Sequence, residues 1–111
     1  MILEIKNLDE FKSLCSNEQA ILIYFSHSMC NVCKVLKPKI AELLSTSFPL
    51  MKMYYCDTIE NPEIAAQNSI FTVPTIVVYF EGKEFIRKSR NMGITELQKE
   101  IERPYSLIFT N

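Results

Sequence analysis

The sequence predicts an α/β fold in which a central mixed five-stranded sheet is flanked by four helices. Short apolar runs rich in β-branched and aromatic residues alternate with segments whose apolar residues recur every three or four positions, which gives the element order β-α-β-α-β-α-β-β-α. Only the turn at residues 81–83 separates the final two strands. The sheet is therefore expected to be parallel where helices connect its strands and antiparallel at the last hairpin.

Five strands are predicted from the apolar runs. Residues 20–25 are apolar almost without interruption, which is typical of a strand that is buried on both faces and lies in the middle of a sheet. Residues 3–5 are expected to form a short edge strand. The remaining strands are predicted at residues 51–56, 75–80 and 84–89.

Four helices are predicted, at residues 7–16, 30–47, 60–68 and 95–103. Asn7 or Asp9 can cap the first helix. The apolar pattern of the second helix continues past Pro38, so we expect one kinked helix there rather than two. Pro104 is expected to end the last helix, and the apolar residues 105–109 to pack on the sheet or to support a dimer contact.

Length and composition narrow the functional classes. A chain of 111 residues with 48% hydrophobic and 23% charged residues predicts a single domain over residues 1–111. The formal charge of −1 and the scattered charges argue against nucleic acid as a partner. No apolar run approaches the roughly 20 residues that cross a bilayer. The first residues also lack the pattern of a secretory signal, so we expect no membrane contact and a cytoplasmic location.

The chain contains four cysteines, at positions 15, 30, 33 and 56. In a reducing compartment such cysteines are catalytic, metal-binding or simply buried. Cys15 and Cys56 fall on the apolar faces of a predicted helix and a predicted strand, where a free cysteine behaves as a small hydrophobic residue. We expect both to be structural.

Cys30 and Cys33 follow the predicted central strand and open the second helix. Unpaired backbone N–H groups and a partial positive charge at a helix start favour a thiolate, and such positions lower a thiol pKa from about 8.5 to roughly 3.5–7.5. We expect Cys30 to be the nucleophile and Cys33, one helical turn further on, to be the resolving thiol. Lys34 and Lys37 are expected to be solvated charges that add a modest attraction for the thiolate.

Two alternatives to redox chemistry remain open at this stage. His27, Cys30 and Cys33 could bind zinc with Cys56 as a fourth ligand, although structural zinc sites usually have two spaced pairs of ligands. An exposed Cys30 could also hold an iron–sulfur cluster between two subunits. The other alternative is a binding module that uses the same surface without turnover.

Several motifs, taken together over nearly the whole chain, resemble the thioredoxin family. They are Cys30-x-x-Cys33-Lys34, Pro38 five residues after the second cysteine, Val73-Pro74-Thr75 before an apolar strand, Gly82 in the last hairpin and Gly93 before the last helix. The resemblance implies the thioredoxin fold, with a cis peptide bond before Pro74 beside the cysteines. It also implies that the Val73 backbone pairs with an extended substrate segment. The apolar rim that admits partner proteins would consist of Met29, Val73, Met92 and Gly93.

The chain departs from the typical family pattern around the cysteines. Met29 stands where tryptophan usually precedes the first cysteine, and Asn31-Val32 stands where Gly-Pro usually separates the pair. By the resemblance, the family's buried aspartate falls on Tyr24 and the lysine that partners it falls on Met53. Water, a Tyr24 hydroxide at high pH or His27 would then take the proton from the resolving thiol.

These observations predict a thiol–disulfide oxidoreductase that reduces protein or small-molecule disulfides through a Cys30/Cys33 dithiol, with no metal and no organic cofactor. The expected partners are disulfide-containing protein substrates. A thioredoxin reductase or a low-molecular-weight thiol is expected to supply the electrons. We expect a monomer or a weak dimer.

Overall fold

The computed structural model describes residues 2–90 and 92–109. Its elements are β1 (Ile2–Glu4), α1 (Leu8–Asn17), β2 (Ala20–Ser26), α2 (Asn31–Ser47), β3 (Lys52–Asp57), α3 (Pro62–Gln67), β4 (Thr75–Phe80), β5 (Lys83–Ser89) and α4 (Ile94–Phe109). This order is the predicted one. The predicted α/β class, with five strands and four helices, is therefore confirmed.

The five strands form one mixed sheet in the order β1-β3-β2-β4-β5. β1 and β2 both pair with β3 in parallel, whereas β4 pairs antiparallel with β2 and with β5. β2 lies in the middle and every one of its residues is buried, as its apolar run predicted. β1 is the predicted edge strand, and it begins and ends one residue earlier than expected.

The two faces of the sheet carry separate hydrophobic cores. Alternate residues of β2 point to opposite faces: Leu22 and Tyr24 belong to what we call the first core, and Ile21, Ile23 and Phe25 to the second core. The first core packs against α2 and α4, and the second core lies under α1 and α3. Helices therefore cover both faces, as expected.

The helix that carries the cysteines is continuous. α2 runs through Pro38 as one helix of 17 residues, which confirms that the proline does not divide it. At α1, the Asn7 side chain accepts a hydrogen bond of 2.8 Å from the backbone N–H of Glu10, so Asn7 is the cap. Within residues 2–90 and 92–109, no helix is both long enough and apolar enough to cross a membrane.

The predicted end of the last helix at Pro104 is wrong, because α4 continues through that residue to Phe109. The aromatic ring of Tyr105 packs on those of Phe48 and Phe109 at centroid distances of 4.9 Å and 4.7 Å. The Tyr105 hydroxyl also accepts a hydrogen bond of 3.0 Å from the backbone N–H of Leu50. These contacts offset the hydrogen bond that a proline removes from a helix interior. The apolar tail is thus a helical extension packed on the first core.

Candidate active site at Cys30 and Cys33

The two cysteines of interest lie where the central strand meets a helix. β2 ends at Ser26, residues 27–29 form the connection, and Cys30 is the N-cap residue of α2. Cys30 and Cys33 form a disulfide, with their Cα atoms 5.3 Å apart. The Sγ atom of Cys30 accepts a hydrogen bond of 3.2 Å from the backbone N–H of Cys33. The predicted placement of one sulfur at the helix start, with the second one turn behind it, is therefore present.

The two cysteines differ in their access to solvent. Cys30 is half-buried, whereas only 2% of Cys33 is exposed. A disulfide approaching from solvent therefore meets Cys30 first. The first turn of α2 contains no acidic residue, so no carboxylate there offsets the partial positive charge of the helix start. This environment favours a thiolate at Cys30 in the reduced protein.

Three loops meet at the end of the sheet that carries the cysteines. β2 ends there at Ser26, and β4, which is antiparallel to β2, begins there at Thr75. The peptide bond between Val73 and Pro74 is cis, as the family resemblance implied. The backbone N–H of Arg90 donates a 2.8 Å hydrogen bond to the carbonyl of Pro74, which holds the segment before α4 at the same end.

The residues predicted to form the substrate rim are spread over these loops. Met29 is 79% exposed, and Gly93 is also exposed. Val73 and Met92 are half-buried and pack against the first core, as Cys30 does. The structure thus brings the predicted rim to the sheet end that carries the dithiol.

Phe71 is an apolar surface residue of this region that the sequence reasoning missed. It lies in the loop that leads to Pro74, and 89% of its surface is exposed. Its neighbour Ile70 is buried in the second core. A signal was present in the sequence, because two adjacent apolar residues in a tight connection seldom both face the core.

Tyr24 lies directly beneath the dithiol in the first core. It has no exposed surface, and its hydroxyl donates a 2.8 Å hydrogen bond to the carbonyl oxygen of Cys33. Burial, with a smaller contribution from Tyr55, raises the pKa of Tyr24 to about 12. Tyr24 is therefore a protonated donor to the α2 backbone at neutral pH, and not a base.

The residue that pairs with Tyr24 on β3 is Tyr55. Met53, the position that the family resemblance assigns to the lysine, pairs with Leu22 and is buried in the first core together with Tyr24. The neighbour of Tyr24 was not foreseen, because the parallel register of β2 and β3 cannot be read from either strand alone. The Tyr55 hydroxyl lies 3.4 Å from Oδ2 of the buried Asp57. Tyr24 and Tyr55 are therefore neighbours on adjacent strands beneath the dithiol.

A small cavity of about 200 Å³ reaches from the surface to Cys33. Its walls include His27, Lys34, Lys37 and Tyr55. The Nδ1 atom of His27 accepts a 3.2 Å hydrogen bond from the backbone N–H of Met29, and Lys34 is exposed. Lys37 is not the solvated charge that was expected: it is half-buried, with its Nζ atom 4.0 Å from the centroid of the Tyr55 ring.

The other two cysteines belong to the core on the opposite face of the sheet. Cys56 is fully buried in the second core, and Cys15 packs against the same core. Burial raises the pKa of Cys15 to about 11 and, with a smaller contribution from Asp57, that of Cys56 to about 12. Both are free thiols. Among the described residues, no group of three or more His, Cys, Asp or Glu side chains is arranged to hold a metal ion.

Comparisons with known proteins agree with this geometry. A family model described as Thioredoxin matches residues 2–103. The thioredoxin-like protein YdfQ of Bacillus subtilis is 30% identical over 109 residues, which cover 93% of this chain and 96% of that protein. The mitochondrial thioredoxin-3 of Saccharomyces cerevisiae is 30% identical over 101 residues, which cover 91% of this chain and 78% of that protein.

The fold is also similar to that of solved structures. The crystal structure of oxidized mitochondrial thioredoxin 3 from Saccharomyces cerevisiae superposes with a TM-score of 0.82 at 28% identity, covering 91% of this chain and 93% of that one. No finding favours the metal-binding or the redox-inactive alternative. The chain therefore belongs to the thioredoxin family, and its Cys30–Cys33 pair makes it a dithiol–disulfide oxidoreductase.

Proposed function

We propose that the chain reduces protein or small-molecule disulfides, with Cys30 as the nucleophile and Cys33 as the resolving thiol. The observation that carries this proposal is the position of the pair at the start of α2. Cys30 is half-buried and reachable at the helix N-cap, whereas Cys33 is enclosed one turn behind it and bonded to it. This asymmetry fits one attacking and one resolving sulfur.

The reaction follows from the two positions. The Cys30 thiolate attacks one sulfur of the substrate disulfide, and the other substrate sulfur leaves as a thiolate that takes a proton from water. The Cys33 thiol loses its proton and attacks Sγ of Cys30. The Cys30–Cys33 bond forms, the mixed disulfide breaks, and the second substrate sulfur leaves as a thiolate. The substrate gains two electrons and the dithiol loses two.

Substrates bind, in this proposal, over Pro74 and the predicted rim of Met29, Val73, Met92 and Gly93. The exposed Met29 supplies apolar surface beside Cys30, and Val73 supplies backbone groups for an extended segment. Tyr24 holds the carbonyl of the resolving cysteine and thereby positions the first turn of α2. We add Phe71 to the rim, because its large exposed surface lies in the loop before Pro74.

The proposed electron donor is a thioredoxin reductase. A relative from Mycobacterium leprae is named a bifunctional thioredoxin reductase/thioredoxin, and it is 24% identical over 99 residues that cover 89% of this chain and 22% of that protein. That name supports a flavoprotein reductase as donor, and a low-molecular-weight thiol is the alternative. Reduction of the oxidised chain by each donor, followed by thiol counting, distinguishes them.

The proposed setting is a reducing compartment, with the cytoplasm as first choice. Two free thiols, Cys15 and Cys56, are typical of such a compartment. One relative is named a mitochondrial thioredoxin, so cell fractionation is needed to separate the two locations. Residues 1–111 act as one domain in this proposal, and the chain works as a monomer or a weak dimer.

The proposal predicts catalysed reduction of a protein disulfide. Added to insulin and dithiothreitol, the wild-type chain should accelerate insulin reduction well above the rate with dithiothreitol alone. Cys30→Ser should remove this acceleration, because the attacking sulfur is gone. Cys33→Ser should accumulate a mixed disulfide on Cys30, visible as added mass, because nothing resolves it.

The matched control is Cys56→Ala, which removes a thiol from the second core and leaves the dithiol intact. Its rate should equal that of the wild type as long as circular dichroism shows a folded chain. A wild-type chain that does not accelerate insulin reduction, or a Cys30→Ser chain that still does, contradicts the proposed function.

A further inference from the structure

Lys37 is held close to the resolving thiol by two features of the fold. It follows Cys33 by four residues, so the two side chains lie on one face of α2 about one turn apart. Its Nζ atom also lies 4.0 Å from the centroid of the Tyr55 ring on β3, which is a cation–π contact. The ammonium group is thus held between the helix and the sheet.

The same side chain lines the cavity that reaches Cys33. This cavity, of about 200 Å³, has Lys34, Lys37 and His27 in its walls together with Tyr55, and no carboxylate among the described residues that line it. Cys33 lines this cavity, which is open to solvent. Water can therefore reach the resolving thiol on its positively charged side.

The other groups that face this region do not neutralise Lys37. From β2, the Tyr24 hydroxyl donates to the carbonyl of Cys33. From β3, the carboxylate of Asp57 lies beside Tyr55: its Oδ1 accepts from the backbone N–H groups of Ile59 and Glu60 at 2.9 Å and 3.0 Å, and its Oδ2 lies 3.4 Å from the Tyr55 hydroxyl. The carboxylates of Glu4 and Glu60 act on Tyr55 more weakly than that of Asp57. Within residues 2–90 and 92–109, Lys37 forms no salt bridge.

We propose that Lys37 is a positioning residue of the resolving step: its ammonium group acts across the cavity to favour the thiolate of Cys33. This inference deepens the proposed function and rests on it. In the step concerned, the Cys33 thiol gives its proton to water in the cavity and attacks Sγ of Cys30. The Cys30–Cys33 bond forms as the mixed disulfide breaks, and the substrate sulfur leaves with the bonding electron pair.

The direct test is a titration of Cys33 in a Cys30→Ser background, followed by thiolate absorbance in the ultraviolet. Cys15 and Cys56 do not interfere near neutral pH, because burial raises their pKa values to about 11 and about 12. Lys37→Gln, which keeps a polar side chain one atom shorter and removes the charge, should move the midpoint upward by about half a pH unit to one unit. Lys37→Arg should restore it.

Lys39→Gln is the matched control, since Lys39 lies on the same helix, is exposed and lines a different groove with Glu42 and Gln98. It should leave the midpoint unchanged. In the chain that keeps both Cys30 and Cys33, Lys37→Gln should slow insulin reduction at pH 7 about three- to tenfold and shift the pH profile of the rate upward.

In the titration, the inference would be overturned by a Cys33 midpoint that is the same in Lys37→Gln and Lys39→Gln, or by one that Lys37→Arg fails to restore. A uniform loss of rate with no shift of the pH profile would also overturn it, because a purely structural role predicts that result. Failure of the proposed function would be seen separately, as a wild-type chain that does not accelerate insulin reduction. The titration of Cys33 does not depend on insulin reduction, so the two failures can be told apart.

Discussion

The two faces of the sheet each enclose a nearly inaccessible cysteine, and only one of the two is part of the reaction. Cys33 in the first core is 2% exposed and Cys56 in the second core is fully buried. Cys33 is bonded to a half-buried Cys30 at a helix start and borders a cavity lined by lysines. Cys56 has apolar neighbours and the adjacent carboxylate of Asp57, which together raise its pKa to about 12.

This comparison separates burial from reactivity. The exposed fraction of the side chain does not distinguish the two thiols. The two thiols are distinguished by the helix start, the neighbouring sulfur and the path to solvent, because each of these acts on the thiolate or on its access to a partner.

The largest difference between the cysteines is expected in their rates of alkylation in the reduced, folded protein at neutral pH. Iodoacetamide should modify Cys30 at least about 100-fold faster than Cys15 or Cys56, because the thiolate fraction and access are both far larger at the helix start. Peptide mass spectrometry after timed quenching measures the three rates. Comparable rates at Cys30 and Cys56 in the folded chain would show that the helix start does not make Cys30 more reactive than a buried thiol.

The two thiols of the second core should make the free energy of unfolding decrease as the pH rises into the alkaline range. The folded pKa values of Cys15 and Cys56 are raised from 9.0 to about 11 and about 12, so the folded state keeps protons that the unfolded state releases. The contribution to stability is complete below pH 9 and is lost as pH rises through the folded values. For the oxidised protein, the free energy of unfolding should fall by about 2 kcal/mol between pH 8 and pH 10.

Urea unfolding at several pH values measures this loss. In Cys56→Ala, the free energy of unfolding should fall less steeply over the same range, because one of the two thiols with a raised pKa is gone. A wild-type stability that stays constant from pH 8 to pH 10 would show that the second core does not hold its thiols in the protonated form.

A smaller difference in the rate of insulin reduction is expected when the tyrosines on opposite faces of the sheet are substituted. The hydroxyl of Tyr24 donates to the carbonyl of Cys33 at 2.8 Å, and that of Tyr79 donates to Oδ1 of Asn68 at 3.2 Å. Tyr24→Phe and Tyr79→Phe should each lower the free energy of unfolding by about 1 kcal/mol. Only Tyr24→Phe should slow insulin reduction, by about two- to fivefold, because only that hydroxyl holds the turn that carries the dithiol.

Denaturant unfolding and the insulin assay on the same preparations measure both quantities. Tyr79→Phe is the control for a lost buried hydrogen bond without a change at the site. Equal slowing by the two substitutions would mean that the effect of Tyr24 is general destabilisation rather than positioning of Cys33.

Much of the fold and the core of the site were predictable from local signals. The uninterrupted apolar run of β2 predicted a central strand, and the strand was found there with every residue buried. The Cys30-x-x-Cys33 spacing directly after that strand predicted a sulfur at a helix start. The cis bond before Pro74 came from the family resemblance, because the dipeptide alone favours the trans form.

What sequence reasoning missed depends on contacts between distant segments. Pro104 normally interrupts a helix, but the packing of Tyr105 on Phe48 keeps α4 intact. Tyr55 came to lie beside Tyr24 through the strand register. Lys37 was expected to be a solvated charge on α2, and its contact with Tyr55 exists only because β3 passes beneath that helix.

The central claim is that Cys30 and Cys33 form a reversible two-electron couple while Cys15 and Cys56 remain thiols. The most direct measurement is a redox titration of the wild-type chain in dithiothreitol or glutathione buffers, quenched with an alkylating reagent and read by peptide mass spectrometry. We expect a single transition with two electrons, in which Cys30 and Cys33 lose alkylation together. No reversible transition over the accessible range, or one that pairs Cys15 or Cys56, would contradict it.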